Sequence, residues 1–182
     1  MASLSLTGVE VRKAGRSDVP AARRVLLAAY QEYAEVLPPA VFGRYLPDVL
    51  DVEARARTGR VLVAEHGRRV VGTVTFYPDA AAEGFGLPAG WAGLRALGVE
   101  PSARGHGVGR ALMEACRELA LAAGATVLSL HTAELMTAAV ALYERMGFRR
   151  DLARPQREQP VRVGTMYDNP VSGERGVVPG RH

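Results

Sequence analysis

Seven stretches of the chain carry the pattern of a β-strand. Residues 9–14 alternate between apolar and polar side chains, so one face of this strand is expected to be buried. The run Thr-Val-Leu-Ser-Leu-His at 126–131 is interpreted as a buried strand. A short turn at His66-Gly67-Arg68 joins two of the stretches and predicts a hairpin. The predicted strands are residues 9–14, 60–65, 69–77, 91–99, 126–131, 148–152 and 161–167.

Apolar side chains three or four positions apart predict four helices. The clearest has Val108, Leu112 and Leu119 on one face. The predicted helices span about 18–34, 40–57, 108–123 and 135–146. With the strands they give the order β-α-α-β-β-β-α-β-α-β-β, which predicts one α/β domain built on a mixed sheet. We place this domain at residues 1–168 and a flexible tail, rich in Gly, Pro and Arg, at residues 169–182.

The composition of the chain excludes several classes of function. Its 182 residues are 48% hydrophobic and 23% charged, which is an ordinary globular mixture. Cys116 is the only cysteine, so an intramolecular disulfide is excluded and no metal site is expected. Lys13 is the only lysine, and the Gly-Lys-Ser/Thr triplet of P-loop nucleotidases is therefore absent.

The charge pattern narrows the expected partners. The net charge of +4 is spread along the chain without a run of basic residues, so we expect no nucleic-acid partner. No stretch predicts a signal peptide or a membrane-spanning helix. We therefore expect a cytoplasmic enzyme or binding domain with no membrane partner.

The most informative segment is a glycine-rich loop between a predicted strand and a predicted helix. It reads Arg104-Gly-His-Gly-Val-Gly109 and follows strand 91–99. Backbone N–H groups at a helix N-terminus lack intrahelical partners and lie at the positive end of the helix dipole. Glycines let an anion approach this backbone, so the loop predicts a phosphate site, with a tight turn as the alternative. A dinucleotide fold fits poorly, because the next strand, 126–131, carries no acidic residue.

The loop and a second segment resemble the motifs of a known enzyme superfamily. Residues 99–112, with Arg104-x-x-Gly107-x-Gly109, are similar to the acyl-CoA-binding motif of the GNAT superfamily of N-acetyltransferases. The run Leu142-Tyr143-Glu-Arg-Met-Gly147-Phe148 resembles the closing motif of the same superfamily. The resemblance implies a single-domain GNAT-like α/β fold. Its mixed, mostly antiparallel sheet of about six or seven strands would be flanked by about four helices and splayed at the acyl-CoA site.

The resemblance also implies an acetyl-CoA site, with acetyl-CoA as co-substrate and no metal. Pantetheine would pair with the backbone of strand 94–99, and the pyrophosphate would bind the N–H groups of loop 104–109. Gly98 is compatible with the bulge that opens the sheet in this family, and the His106 side chain is expected to point to solvent. The implied cofactor-binding residues are Leu97, Gly98, Val99, Arg104, Gly105, His106, Gly107, Val108, Gly109 and Arg110.

Acetyl transfer to an amine needs a proton for the departing thiolate and a neutral attacking amine. Tyr143 stands at the family position of the general acid, with simple core packing as the alternative. The general base is open, because strand 91–99 lacks the carboxylate that many members carry there. His131, Glu134 and Glu83 are the candidates, and water is a further possible proton acceptor.

We therefore expect an acetyl-CoA-dependent N-acetyltransferase. It would move an acetyl group to a primary amine of an unidentified small molecule or peptide by direct attack. The alternative is a weakly catalytic or non-catalytic acyl-CoA-binding regulatory module, because the strand carboxylate is missing and Met136 replaces the family's usual asparagine. The candidates for an amine cleft with a carboxylate counter-ion are Tyr30, Tyr33, Glu35, Phe42 and Tyr45, with ordinary helix packing as the alternative. A homodimer is kept open.

Overall fold

One mixed sheet of seven strands organises the structure, a computed structural model that describes residues 8–84, 86–151 and 165–171. The strands are β1 (Glu10–Lys13), β2 (Arg60–His66), β3 (Arg69–Tyr77), β4 (Trp91–Val99), β5 (Val127–Thr132), β6 (Arg149–Arg150) and β7 (Thr165–Pro170). Their order in the sheet is β1-β2-β3-β4-β5-β7-β6. Only β4 and β5 are parallel neighbours among the described strands, so the predicted mixed, mostly antiparallel sheet is confirmed.

Five α-helices lie in the described part of the chain, one more than the sequence predicts. They are α1 (Val19–Tyr30), α2 (Pro39–Leu50), α3 (Val52–Thr58), α4 (Val108–Ala122) and α5 (Thr137–Arg145). The helix predicted over 40–57 is two helices, because Asp51 leaves the helical conformation with φ −78° and ψ 69°. Its carboxylate accepts a 3.0 Å hydrogen bond from the Ala54 N–H and so caps α3. The helix predicted over 18–34 ends at Tyr30 and continues as a 3-10 turn, Gln31–Glu35.

Two hydrophobic layers cover the two faces of the sheet. Alternate side chains of β2 divide between them, as the two-residue period of a strand requires. Leu62 and Ala64 pack in the layer of α4, whose Leu112 is fully buried. Val61 and Val63 pack in the layer of α1, α2 and α3. The central strands are therefore buried on both sides.

Strands β4 and β5 pair over only part of their length. Residues 91–94 of β4 pair with residues 127–130 of β5. Beyond Leu94 and Leu130 the two strands separate, while β4 continues to pair with β3 as far as Val99. The predicted splay between these two strands is confirmed.

A bulge in β4 lies at the start of this splay, and its position differs from the one that the sequence suggested. Thr73 of β3 pairs with Gly98 of β4, and Thr75 pairs with Arg95. Two residues of β4 therefore lie opposite the single residue of β3 between these pairs. Ala96 accommodates the extra residue with a φ of 52°, which costs a non-glycine residue about 1–2 kcal/mol. Gly98 instead allows α1 to pack closely on the strand, because a Cβ at this position would lie 3.0 Å from Leu26 Cδ2.

The last strand extends past the predicted domain boundary. β7 continues through Pro170, and Val171 is fully buried and donates its N–H to the Thr126 carbonyl at 3.1 Å. Burial and sheet hydrogen bonding thus continue three residues past the predicted boundary at residue 168. Residues 172–182 of the predicted tail, and 161–164 of the last predicted strand, lie outside the described residues.

Shortening the buried Val171 side chain should destabilise the fold. We expect Val171→Ala to lower the free energy of unfolding by about 1–3 kcal/mol, because two methyl groups are lost from a fully buried site. Urea unfolding followed by circular dichroism measures the change. Val36→Ala is the matched control, since Val36 is 61% exposed and should change stability by less than about 0.5 kcal/mol. Equal, small effects of both substitutions would show that Val171 does not belong to the folded core.

Candidate functional site

A cleft of about 430 Å³ opens where β4 and β5 separate. Its walls come from the diverging parts of these two strands, from the loop before α4, and from helices α1, α2 and α5. Arg55 of α3 closes part of one end. The cleft therefore connects the glycine-rich loop with a second, tyrosine-lined region.

The glycine-rich loop enters α4 through left-handed backbone conformations. Gly105 and Gly107 have φ values of 77° and 83°, which L side chains rarely adopt. Gly107 is the N-cap of α4 and no side chain caps the helix, so its first N–H groups can bind an anion. Gly109 has a packing role, because a Cβ there would lie 3.0 Å from Leu142 Cδ2.

Arg104 ties this loop to the opposite wall of the cleft. Its guanidinium donates to the Val99 carbonyl at 3.4 Å and to the Ala29 carbonyl at 3.3 Å. It also forms an ion pair with the Glu32 carboxylate at 2.8 Å. The side chain is 35% exposed and lines the cleft. Arg104 thus fixes the position of the loop relative to α1.

The imidazole of His106 is more enclosed than the sequence suggested. Its Nδ1 atom is buried and has no hydrogen-bond partner, so the expectation that the side chain points to solvent is wrong for this atom. A buried polar atom without a partner is uncommon in proteins. His106 is also the one residue between Gly105 and Gly107, two positions that line the cleft.

The part of β4 beyond Leu94 presents an open strand edge to the cleft. Leu97, Gly98 and Val99 line the cleft, and their strand pairs with β3 on one side only. The Tyr30 hydroxyl donates to the Leu97 carbonyl at 3.0 Å and supports the bulged segment from α1. Backbone groups on an open edge of this kind can bond an extended ligand.

Tyr143 projects from α5 into an aromatic cluster beside the cleft. Its ring centroid lies 5.9 Å from that of Phe148 and 6.4 Å from that of Tyr167. The residue is 5% exposed and lines the cleft, and its hydroxyl has no hydrogen-bond partner among the described residues. Burial raises the pKa of Tyr143 above its ordinary value, so the hydroxyl keeps its proton at neutral pH.

The proposed base candidates occupy different surroundings. His131 lies near the end of β5, is exposed and lines the cleft together with Tyr143. The Glu134 side chain is 70% exposed, forms a 2.6 Å ion pair with Arg150 and does not line the cleft. Glu83 lies in the loop after β3 and does not line it either. Of these three residues, the structure brings only His131 to the cleft.

The far end of the cleft contains charged residues that the sequence analysis did not identify as site residues. Asp48 and Arg95 form a 2.8 Å ion pair, and Arg55 donates to the Asp48 carbonyl at 2.6 Å. All three line the cleft with Tyr30 and Tyr45. Asp48 could have been found from helical spacing, because it lies three residues after Tyr45 on α2. Arg55 lies on another helix, and nothing local in the sequence marks it.

The described residues contain neither a candidate metal cluster nor a candidate membrane-spanning helix. No three or more His, Cys, Asp or Glu side chains there cluster closely enough to hold a metal ion. None of the helices in the described ranges has the length and apolarity that crossing a membrane requires.

Comparison with known proteins identifies relatives of this chain by sequence. The family model described as "Acetyltransferase (GNAT) family" matches residues 26–148. An "IAA acetyltransferase" of Azospirillum brasilense is 34% identical over 114 residues, which cover 58% of this chain and 70% of the relative.

Solved structures show the same fold. The PaiA N-acetyltransferase of Thermoplasma acidophilum, in complex with coenzyme A, has a TM-score of 0.71 at 14% identity, covering 90% of this chain and 99% of that one. A GNAT family acetyltransferase of Brucella melitensis, in complex with acetyl-CoA, has a TM-score of 0.57 at 25% identity, covering 88% and 95%. On the match to the family model, which spans more than half of its length, the chain belongs to the GNAT family of acetyltransferases.

Proposed function

We propose that this protein is an acetyl-CoA-dependent N-acetyltransferase that acts on a primary amine by direct attack. The observation that carries the proposal is the continuity of one cleft from the uncapped N-terminus of α4 to the Tyr143 hydroxyl. An anion site, an open strand edge and a buried proton donor follow one another along it. A small molecule or a peptide could supply the amine.

The glycine-rich loop and the open edge of β4 would hold the co-substrate. The first N–H groups of α4 would bind the pyrophosphate, and the backbone of residues 97–99 would pair with pantetheine. Arg104 would act by holding the loop against α1, since its guanidinium is already bonded to Glu32 and two carbonyls. The proposed contacts come from Leu97, Gly98, Val99, Arg104, Gly105, His106, Gly107, Val108, Gly109 and Arg110.

Relatives support this assignment of the ligand. The Thermoplasma and Brucella proteins are described in complex with coenzyme A and with acetyl-CoA. The loop of this chain also fits a phosphate, because Gly105 and Gly107 line the cleft and no side chain caps the N-terminus of α4. Bound acetyl-CoA supplies an acyl group that its thioester already activates, so positioning by the cleft contributes much of the rate.

Tyr143 would donate the proton that the departing thiolate takes up. An ordinary phenol has a pKa of about 10 and an ordinary thiol about 8.5, so the transfer is uphill by about 2 kcal/mol in water. Burial raises the pKa of Tyr143, but it also destabilises a thiolate that leaves into the same enclosed cleft. The two effects of burial oppose each other, and proton transfer together with cleavage of the C–S bond remains feasible.

His131 is the base candidate that the geometry retains, with water as the alternative. It lies on the side of the cleft opposite β4 and is open to solvent, so a proton taken from the amine can leave. Glu134 is the weaker candidate because its ion pair with Arg150 lies away from the cleft lining.

A side chain at Gly107 should block binding of the pyrophosphate. We expect Gly107→Val to weaken acetyl-CoA binding by more than tenfold, about 1.4 kcal/mol, measured by isothermal titration calorimetry. Gly124→Val is the control, since Gly124 also has a positive φ of 71° and open space for a Cβ but lies beyond the other end of α4. A folded Gly107→Val protein that binds as tightly as the control would contradict the assignment of the loop.

Removal of the Tyr143 hydroxyl should slow the chemical step. We expect Tyr143→Phe to lower kcat by about 10²–10⁴-fold with little change in acetyl-CoA affinity, because the proton is needed in the transition state. Thiol release with an accepted amine measures kcat and KM. Tyr167→Phe is the control, because Tyr167 packs against Tyr143 but does not line the cleft. Near-wild-type kcat in Tyr143→Phe, with chemistry limiting the rate, would exclude this role.

A further inference from the structure

Arg55 is a buried cation whose hydrogen-bond acceptors are all neutral. The residue is 7% exposed, and its Nε donates to the Thr75 hydroxyl at 3.2 Å. Its terminal nitrogens donate to the carbonyls of Asp48 and Val49, at 2.6 and 2.5 Å. No carboxylate of the described residues forms an ion pair with it. Buried charges in proteins are normally paired, so this arrangement needs an explanation.

A second guanidinium adds to the positive charge at this end of the cleft. Arg95 of β4 forms an ion pair with the Asp48 carboxylate, and both partners are partly exposed, at 39% and 46%. Burial lowers the pKa of Arg55, and the charge of Arg95 also lowers it, whereas Tyr77 and the Asp48 carboxylate act in the opposite direction. Among the residues that line the cleft, Arg55 and Arg95 therefore lie beside the same residue, Asp48.

Arg55 retains the capacity to bind an anion. A guanidinium has five N–H donors, and the three hydrogen bonds of Arg55 leave one N–H on each terminal nitrogen. Each of these donors can form a charge-assisted hydrogen bond to an oxygen of an anion such as a carboxylate. The residue lines the cleft, so a ligand can reach it.

Given the proposed N-acetyltransferase function, we propose that the amine acceptor also carries a carboxylate, and that Arg55 and Arg95 bind this carboxylate. The surrounding walls include the rings of Tyr30, Tyr33 and Tyr45, which suit an acceptor with an apolar or aromatic body. The positive charge of Arg55 would have a second effect, because it lowers the pKa of a nearby ammonium group and favours the neutral amine that attacks.

A purely structural role as a cap for α2 does not account for these features. Arg23 already donates to the Leu50 carbonyl, the last of that helix. It does so with 48% of its side chain exposed and with a carboxylate partner, Glu53. An arginine can therefore cap the last carbonyls of α2 while it is exposed and paired with a carboxylate, so capping alone does not explain why Arg55 is buried without one. Arg23 also provides a matched control, because it is an arginine with a similar contact outside the cleft lining.

Binding of a carboxylate without an amine tests the site directly. We expect the full chain to bind 3-phenylpropionate at least about tenfold more tightly than 3-phenylpropanamide in calorimetry. Arg55→Lys keeps the positive charge but removes the guanidinium N–H donors, and it should reduce this preference severalfold. Arg95→Gln should also reduce it severalfold. Arg23→Gln should leave it unchanged. Equal affinity for both compounds, or an undiminished preference in both cleft variants, would overturn the proposal. Circular dichroism verifies that each variant is folded.

Turnover separates this proposal from the proposed function. Phenylalanine, phenylalaninamide and phenethylamine share one aromatic body and differ in the carboxylate, and we expect kcat/KM to be at least about tenfold higher for phenylalanine. Similar acetylation of all three would overturn the carboxylate site and leave the acetyltransferase function intact. Preferential binding of 3-phenylpropionate without acetylation of any amine would contradict the function and support the site.

Discussion

The cleft exists because the pairing of β4 with β5 stops at Leu94 and Leu130. A parallel pair in the middle of a sheet normally continues for the length of both strands, since each unpaired N–H and C=O group is costly when buried. Here the bulge at Ala96 turns β4 away from β5, and the Tyr30 hydroxyl bonds the Leu97 carbonyl in the turned segment. The open edge that results is supported by α1 on one face and by the antiparallel partner β3 on its other side.

The two ends of the cleft present positive charge by different means. At the loop, the charge belongs to the peptide dipoles of α4, and no arginine side chain is needed to produce it. The guanidinium of Arg104, which lines the cleft there, is paired with Glu32. At the other end the charge belongs to the side chains of Arg55 and Arg95. Backbone N–H groups at a helix N-terminus are suited to bind a phosphate, whereas the side chains of two arginines are suited to bind a planar anion such as a carboxylate.

The features that the sequence predicted well are those encoded within short segments. The strand-loop-helix around Gly107 follows from local spacing, Tyr143 was singled out by the resemblance to the family's closing motif, and the structure brings both to one cleft. The break at Asp51 was missed because helical periodicity runs through it and only the side-chain cap reveals it. Val171 was missed because a single apolar residue in a polar segment has no periodicity. Arg55 could not be found, because its burial depends on contacts that only folding creates.

The two walls of the cleft draw on different hydrophobic layers. The loop wall and Tyr143 pack with α4, whereas Tyr30, Tyr45 and Val49 pack with α1, α2 and α3 on the other face of the sheet. Substitutions in separate layers have nearly additive effects on stability where they share no contacts, so the exceptions are the contacts of Arg104 with Ala29 and Glu32 and of Tyr30 with Leu97. Evolution could therefore reshape the wall of α1–α3 for a new acceptor while the loop wall stays constant. Because the sheet separates the two layers, the acceptor side of the cleft can change while the side that faces the glycine-rich loop keeps its packing.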